Sequence, residues 1–138
     1  MIYYELLDHT ADLGIRVTAD DIYELFEGGA HTMFDQIVDR SVLSGAAKES
    51  LTVSGIDKPD LLIGWLRELL YLWNGRERLV KWVHIEQMDD THIAASIWHD
   101  PFDPAKHEIL SDIKAVTYHG VTVEQTPKGW VATVIFDV

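Results

Sequence analysis

One short segment near the start of the chain combines two carboxylates and an imidazole, which is more than a tight turn requires. It reads Asp8-His9-Thr10-Ala11-Asp12. No helical pattern surrounds Asp8 and Asp12, so the two are not neighbours on a helix face. Carboxylate oxygens are the ligands that hard divalent cations prefer, which makes this segment a candidate cation site. An Asx-type turn with a solvated histidine remains the alternative.

The last strand of the sequence carries a carboxylate among apolar and small side chains. Strand alternation puts Asp137 on the face that also holds Val131, Thr133 and Ile135. A carboxylate on such a face needs a hydrogen-bond donor or a cation, and the terminal carboxylate of Val138 adds negative charge beside it. A bound divalent ion would relieve that repulsion. The alternative is a frayed end with Asp137 in water.

A third group of candidate ligands lies further along, in the irregular segment that contains His99, Asp100, Asp103 and His107. These residue types could bind a transition metal. Two prolines and irregular spacing interrupt the group, so the pattern favours an ordinary surface loop.

The sequence lacks several familiar signatures of catalysis. It has no Gly-x-Ser-x-Gly, no Gly-x-x-x-x-Gly-Lys-Ser/Thr and no His-Glu-x-x-His. It also has no cysteine, which excludes disulfides, thiolate metal sites and thiol nucleophiles. Paired carboxylates could support acid–base chemistry, but nothing else demands an enzyme.

The composition indicates one acidic globular domain over residues 1–138. Lys and Arg number 11 and Asp and Glu number 23, so the net charge is −12. Such a surface repels phosphate backbones and suits divalent cations, although solubility alone could also explain it. No apolar run approaches the roughly 20 residues of a membrane helix, and no signal peptide is recognisable, so we expect a cytoplasmic protein.

Two amphipathic helices are expected to position these groups. The first begins after Asp21, whose side chain and Glu24 form a capping pattern, and its apolar stripe runs to about residue 39. The second has Pro59 in its first turn and an apolar surface over residues 60–74 that is wider than one stripe. We therefore expect the second helix to be buried on more than one side.

The remaining patterns predict strands, at residues 3–7, 13–19, 47–54, 79–88, 91–99, 113–118, 121–126 and 130–138. The predicted fold class is α+β, a single domain with two helices packed on a mixed, largely antiparallel β-sheet as a two-layer sandwich. Spacing alone does not bring Asp12 to Asp137, because that requires the first and last strands to meet.

Four blocks of the sequence resemble the archease family, at residues 4–15, 66–71, 113–120 and 135–138. They read YELLDHTADLGI, LRELLY, IKAVTYHG and IFDV. The blocks stand in family order and the similarity runs nearly end to end. The first and last are specific, since neither is an ordinary structural pattern. Lys106 stands where arginine is common and Asp112 where glutamate is usual, and both departures keep the charge.

The resemblance implies an activator of another protein, without catalytic activity of its own. Archeases assist the RtcB-type RNA ligase that joins tRNA halves, promoting its guanylylation and repeated turnover. The family's metal ligands correspond to Asp12, Asp137 and Val138, the last through a main-chain or terminal oxygen. Oxygen-only ligands imply calcium. Asp8 and His9 are expected to face the partner, and RNA is met only through the ligase.

Two other functions remain open from the residues themselves. A small metal-dependent phosphoester hydrolase could use Asp8, His9, Asp12 and Asp137, and it would turn over a substrate with no ligase present. A general protein chaperone would expose an apolar groove, which a charge-rich surface disfavours.

Overall fold

The structure, a computed structural model, describes residues 1–7 and 12–138. Strands and helices follow one another in the order β1 (Tyr3–Leu7), β2 (Asp12–Ala19), α1 (Ile22–Ile37), a 3-10 turn (Arg40–Val42), β3 (Ala47–Ser54), α2 (Lys58–Asn74), β4 (Arg78–Met88), β5 (His92–Pro101), β6 (Ala115–Thr126) and β7 (Gly129–Asp137). Neither helix has the length and apolar character that crossing a membrane would require.

The strands form two antiparallel sheets, and the predicted α+β class is confirmed. One sheet has the order β1-β2-β7-β6 and the other the order β3-β5-β4. The sequence patterns predict a single sheet, whereas the structure has two. Both helices contact strands of both sheets. A helix whose apolar surface is wider than one stripe needs cover on more than one side, and a second sheet supplies it.

Both helices start where their capping residues predict. The carboxylate of Asp21 accepts a hydrogen bond from the amide of Glu24 at 2.8 Å, and Asp57 caps α2 in the same way. The first helix ends at Ile37, about two residues earlier than expected, because Val38 is extended. Between the helices, the buried indole Nε1 of Trp65 donates to the carbonyl of Phe26 at 2.9 Å.

Two strands depart from the predicted bounds by more than one residue. β5 continues through Pro101, two residues further than expected. β6 is one strand rather than two, and its register with β7 shifts between Thr117 and Thr122. Gly120 lies inside that shift with a φ of +66°, a conformation that glycine adopts without strain. The two predicted strands are thus one strand interrupted by a bulge.

β4 lies at an edge of its sheet, and α1 supplies hydrogen-bond partners for its backbone. The amide of Val83 donates to Nε2 of His31 at 3.0 Å. The amide of Ile85 donates to Oε2 of Glu27 at 2.8 Å. Helix side chains therefore occupy backbone donors that would otherwise be open to pairing with another chain.

Candidate functional site

Asp12, at the start of β2, and Asp137, at the end of β7, lie opposite each other in one sheet. β2 and β7 are antiparallel neighbours, and Asp12 is directly opposite Asp137 in their register. Residues directly opposite on antiparallel strands have Cβ atoms about 5 Å apart. The juxtaposition that spacing alone could not establish is therefore present.

The paired carboxylates lie on the face of the sheet that points away from the core. Their strand neighbours Leu13 and Phe136 stand opposite each other on the other face, and Phe136 is fully buried. By strand alternation, Asp12 and Asp137 point the opposite way. Asp12 is half-buried, whereas Asp137 and the adjacent Val138 are exposed to solvent.

The backbone of Asp137 is fixed from both sides. It pairs with Asp12 of β2 on one side and with Ala115 of β6 on the other. The amide of Lys114 also donates to the carbonyl of Asp137 at 2.8 Å. A frayed strand end, the alternative considered for Asp137, is therefore wrong for its backbone, although its side chain does reach water.

Lys114 is a residue of this region that the sequence patterns did not single out. It is exposed and directly precedes Ala115, the β6 partner of Asp137. Its carbonyl accepts a hydrogen bond from Nδ2 of Asn74, the last residue of α2, at 3.4 Å. A cavity of about 390 Å³ opens here, lined by Trp73, Asn74, Glu77, Asp112, Ile113 and Lys114. The only sequence signal for Lys114 was its place in the block at 113–120.

Asp8 and His9, the residues predicted to face a partner, lie outside the described residues, so their role stays a prediction. Over residues 1–7 and 12–138, no group of three or more His, Asp or Glu side chains is arranged as a metal site. The two predicted ligands that the register brings together are Asp12 and Asp137, and Val138 follows Asp137 directly in the chain. Oxygen donors of this kind fit a hard divalent cation, with water completing the roughly six to eight ligands that calcium takes.

The segment around His99 is not an ordinary surface loop, contrary to the sequence analysis. His99 and Asp100 belong to β5, and His99 is only 3% exposed. Nε2 of His99 lies 2.7 Å from Oε1 of Glu49, and Nδ1 accepts a hydrogen bond from Nε of Arg78 at 2.9 Å. Both ring nitrogens are therefore engaged by protein groups and leave no lone pair for a metal.

The other candidate ligands of this segment, Asp100, Asp103 and His107, also make hydrogen bonds within the protein. Burial raises the pKa of Asp100, but the amides of Ala46 and Ser44 that hydrogen-bond to its carboxylate outweigh burial and hold the pKa below its ordinary value. His107, also buried, accepts the amide of Asp103 on Nδ1 at 3.0 Å. These contacts tie the irregular segment to the body of the protein.

Comparison with known proteins points to one family. The model of the Archease protein family matches residues 4–138. The chain is 38% identical to the protein archease of Pyrococcus furiosus, with 100% of both chains covered. It is 33% identical to the protein archease of Methanosarcina mazei, over 98% of this chain and 95% of that one.

A solved structure has the same fold. The solution structure of Methanobacterium thermoautotrophicum protein 1598 superposes with a TM-score of 0.81 and 28% sequence identity, covering 98% of each chain. The paired carboxylates of this chain thus stand on a fold that an experimentally determined protein also adopts.

Proposed function

The chain belongs to the archease family, and we propose that it activates an RNA ligase of the RtcB type rather than catalysing a reaction of its own. It promotes guanylylation of the ligase and its repeated turnover during tRNA splicing in the cytoplasm, and it meets RNA only through the ligase. The observation that carries this proposal is the pairing of Asp12 with Asp137 in a chain that matches the family over residues 4–138.

The carboxylate pair is the proposed working end of the molecule. Asp12, Asp137 and the main-chain oxygen of Val138 hold a divalent cation, which we name as calcium because every donor is oxygen. The bound cation supplies a fixed positive charge. The chain's own contribution is rigidity, since β2 and β6 fix the backbone of Asp137 from both sides.

Overall charge directs this end toward its partner. A ligase that binds RNA and a nucleotide has a basic active-site rim, and the net charge of this chain is −12. Opposite charges accelerate encounter and orient the two proteins before contact. An acidic activator is also repelled by free RNA, so it does not compete with the ligase for its substrate.

Multiple-turnover ligation with sub-stoichiometric amounts of this protein tests the proposal. The ligase, its RNA substrate, GTP and a divalent metal are held constant while the amount of this protein is varied. We expect one molecule to support many ligase molecules, so that product exceeds the amount of either protein.

The alternative functions give different results. A hydrolase consumes a phosphoester without ligase, and a general chaperone protects unrelated proteins from aggregation.

A further inference from the structure

Three large apolar side chains are more than half exposed around the C-terminal end of α1. They are Val42, Trp82 and Leu110, which are 53%, 54% and 55% exposed. We propose that this surface, here called the α1-end surface, is a docking site for a basic protein partner, with Trp82 as its anchor. The identity of that partner rests on the proposed function, under which it is the ligase.

Hydrogen bonds hold the three residues at one place in the fold. The amide of Leu110 donates to the carbonyl of Ile37, the last residue of α1, at 2.8 Å. The guanidinium of Arg40 donates to the carbonyl of Lys81 at 2.6 Å, and Lys81 Nζ returns a bond to the carbonyl of Arg40. The 3-10 turn that contains Val42 is thereby clamped to β4 directly beside Trp82. The surface is preformed rather than assembled on binding.

The indole of Trp82 is held in position by its neighbours. It packs edge-to-face against Trp98 across the strands, with ring centroids 6.2 Å apart and planes at 74°. Lys48 lies over the ring of Trp98 at 5.2 Å from its centroid. A prepositioned tryptophan loses little conformational entropy on binding, which is why this residue type often anchors interfaces.

A groove beside Trp82 suits a cationic side chain. It encloses about 350 Å³ and is lined by Asp35, Asp39, Arg40, Ser41, Lys81 and Trp82. Asp35 is already engaged by Nε of Arg40 at 2.7 Å, and Lys81 is bonded to backbone carbonyls. The carboxylate of Asp39 is exposed, and the hydrogen bonds that it accepts from the amide and hydroxyl of Ser41 are both made by Oδ1. An arginine or lysine of a partner can therefore stack on the indole and reach the Asp39 carboxylate.

One member of the α1-end surface, Leu110, lies close along the chain to the paired carboxylates. Lys114 bonds to the backbone of Asp137, and Leu110 bonds to the end of α1. Leu110 and Lys114 are four positions apart in the chain, so their Cα atoms are separated by at most about 14 Å. A standard interface buries about 800 Å² on each partner, roughly 30 Å across. Leu110 and the paired carboxylates therefore fit within one such footprint.

Charge selects the class of partner. Exposed carboxylates lie within three residues of Val42 or Leu110 along the chain, at Asp39, Glu108 and Asp112, and the whole chain carries −12. A second copy brings the same negative charge, and RNA is a polyanion, so both are repelled. A basic protein surface matches the carboxylates and also covers the apolar side chains.

The experiment compares the affinity of variants for the purified ligase by calorimetry or interferometry. Trp82→Ala is expected to weaken binding by about tenfold or more and to raise the concentration for half-maximal stimulation in proportion. Ile56→Ala, which removes an 85% exposed apolar side chain elsewhere, is the matched control and should change neither quantity. A Val42→Ser/Leu110→Ser double variant tests the same surface independently if loss of Trp82 perturbs the fold, which circular dichroism reports.

The outcomes separate this inference from the proposed function. If the unsubstituted protein stimulates the ligase but Trp82→Ala and the double variant bind as tightly as it does, the docking surface is wrong and the function stands. If the unsubstituted protein neither binds nor stimulates the ligase, both proposals fall. If Trp82→Ala leaves the affinity for the ligase unchanged, two measurements identify what the surface binds instead. Trp82-dependent binding of a short single-stranded RNA would assign it to RNA, and a Trp82-dependent dimer in sedimentation would assign it to a second copy of this chain.

Discussion

At the scale of single residues, the pairing of Asp12 with Asp137 is the feature that most needs a physical reason. Like charges directly opposite on antiparallel strands destabilise a sheet, by about 0.2–1 kcal/mol. The backbone of Asp137 is held on both sides, so its strand has little freedom to move away. In the proposed site, a cation between the carboxylates removes this repulsion and is bound by the same two side chains.

Substituting either carboxylate by its amide tests this explanation. Asp12→Asn and Asp137→Asn keep the side-chain shape and remove one charge each. We expect both variants to lose the rise in melting temperature that calcium gives the unsubstituted protein. In a chelator, each should be at least as stable as the unsubstituted protein, by up to about 1 kcal/mol, because the repulsion is gone. Scanning calorimetry with calcium and with chelator measures both effects.

Glu124→Gln is the control for these variants. Glu124 is exposed on β6 of the same sheet, so its substitution makes the same charge change away from the pair. It should keep the full calcium-dependent rise. An equal rise in Asp137→Asn would show that calcium binds elsewhere.

Sequence patterns could identify the important residue types but not all their surroundings. Strand alternation placed Asp137 on a face with apolar residues, which made it conspicuous. His99 was misjudged because its partners, Glu49 and Arg78, lie 50 and 21 residues away. Contacts over such distances leave no local pattern, whereas the two prolines that suggested a loop are local.

At the scale of secondary-structure elements, the contact between α1 and edge strand β4 depends on a neutral histidine. Nε2 of His31 accepts the amide of Val83, which a protonated ring cannot do. Burial lowers the pKa of His31, with a further contribution from the charge of Arg40, from 6.5 to about 4. The edge is therefore protected only while His31 stays uncharged.

This arrangement predicts a loss of stability in acid. The unfolded chain takes up a proton near pH 6.5, whereas folded His31 resists it until about pH 4. The free energy of unfolding should fall as the pH drops from 6.5 to about 4, by up to about 3 kcal/mol from this residue. Above pH 6.5 the contribution is constant. Urea unfolding at a series of pH values measures it.

His31→Gln isolates this contribution, because glutamine keeps an acceptor for Val83 and does not titrate. The variant should lack the His31 part of the slope between pH 6.5 and 4. Burial raises the pKa of the neighbouring Glu27, against the lowering effect of the Ile85 amide. The contribution of Glu27 to the free energy of unfolding is therefore lost as the pH rises through its raised pKa, which is the opposite direction to that of His31. Glu27 is present in both proteins, so comparing His31→Gln with the unsubstituted protein at equal pH cancels the contribution of Glu27. Identical slopes in the variant and the unsubstituted protein would contradict the assignment.

The helices were more predictable than the strands, for a physical reason. Their caps and periodic apolar residues are local, so Asp21 and Pro59 located both starts correctly. Strand partners are set by contacts distant in sequence, so neither the order β1-β2-β7-β6 nor the division into two sheets was apparent. The bulge at Gly120 was mistaken for a break between strands because glycine suits both.

At the scale of the whole molecule, negative charge and a preformed surface act together. The net charge of −12 attracts a basic partner from a distance. Leu110 of the α1-end surface and the paired carboxylates then fit within one footprint. Under the proposed function, electrostatics governs the rate of encounter with the ligase, and the apolar contacts of Trp82 govern how long the complex lasts.

Salt dependence of association tests this division. The association rate constant with the ligase should fall by about tenfold or more between roughly 0.01 M and 0.5 M salt, since screening shortens the range of attraction. The dissociation rate constant should change much less. Stopped-flow fluorescence or interferometry gives both constants. An association rate that does not depend on salt would remove charge from the recognition mechanism.

The most direct measurement is a crystal structure grown with calcium, with the ion located by its anomalous scattering. We expect one ion bound by carboxylate oxygens of both Asp12 and Asp137, and no such ion in crystals of Asp137→Asn. Crystals at saturating calcium with no ion between these carboxylates, or with the two side chains turned to separate partners, would contradict it.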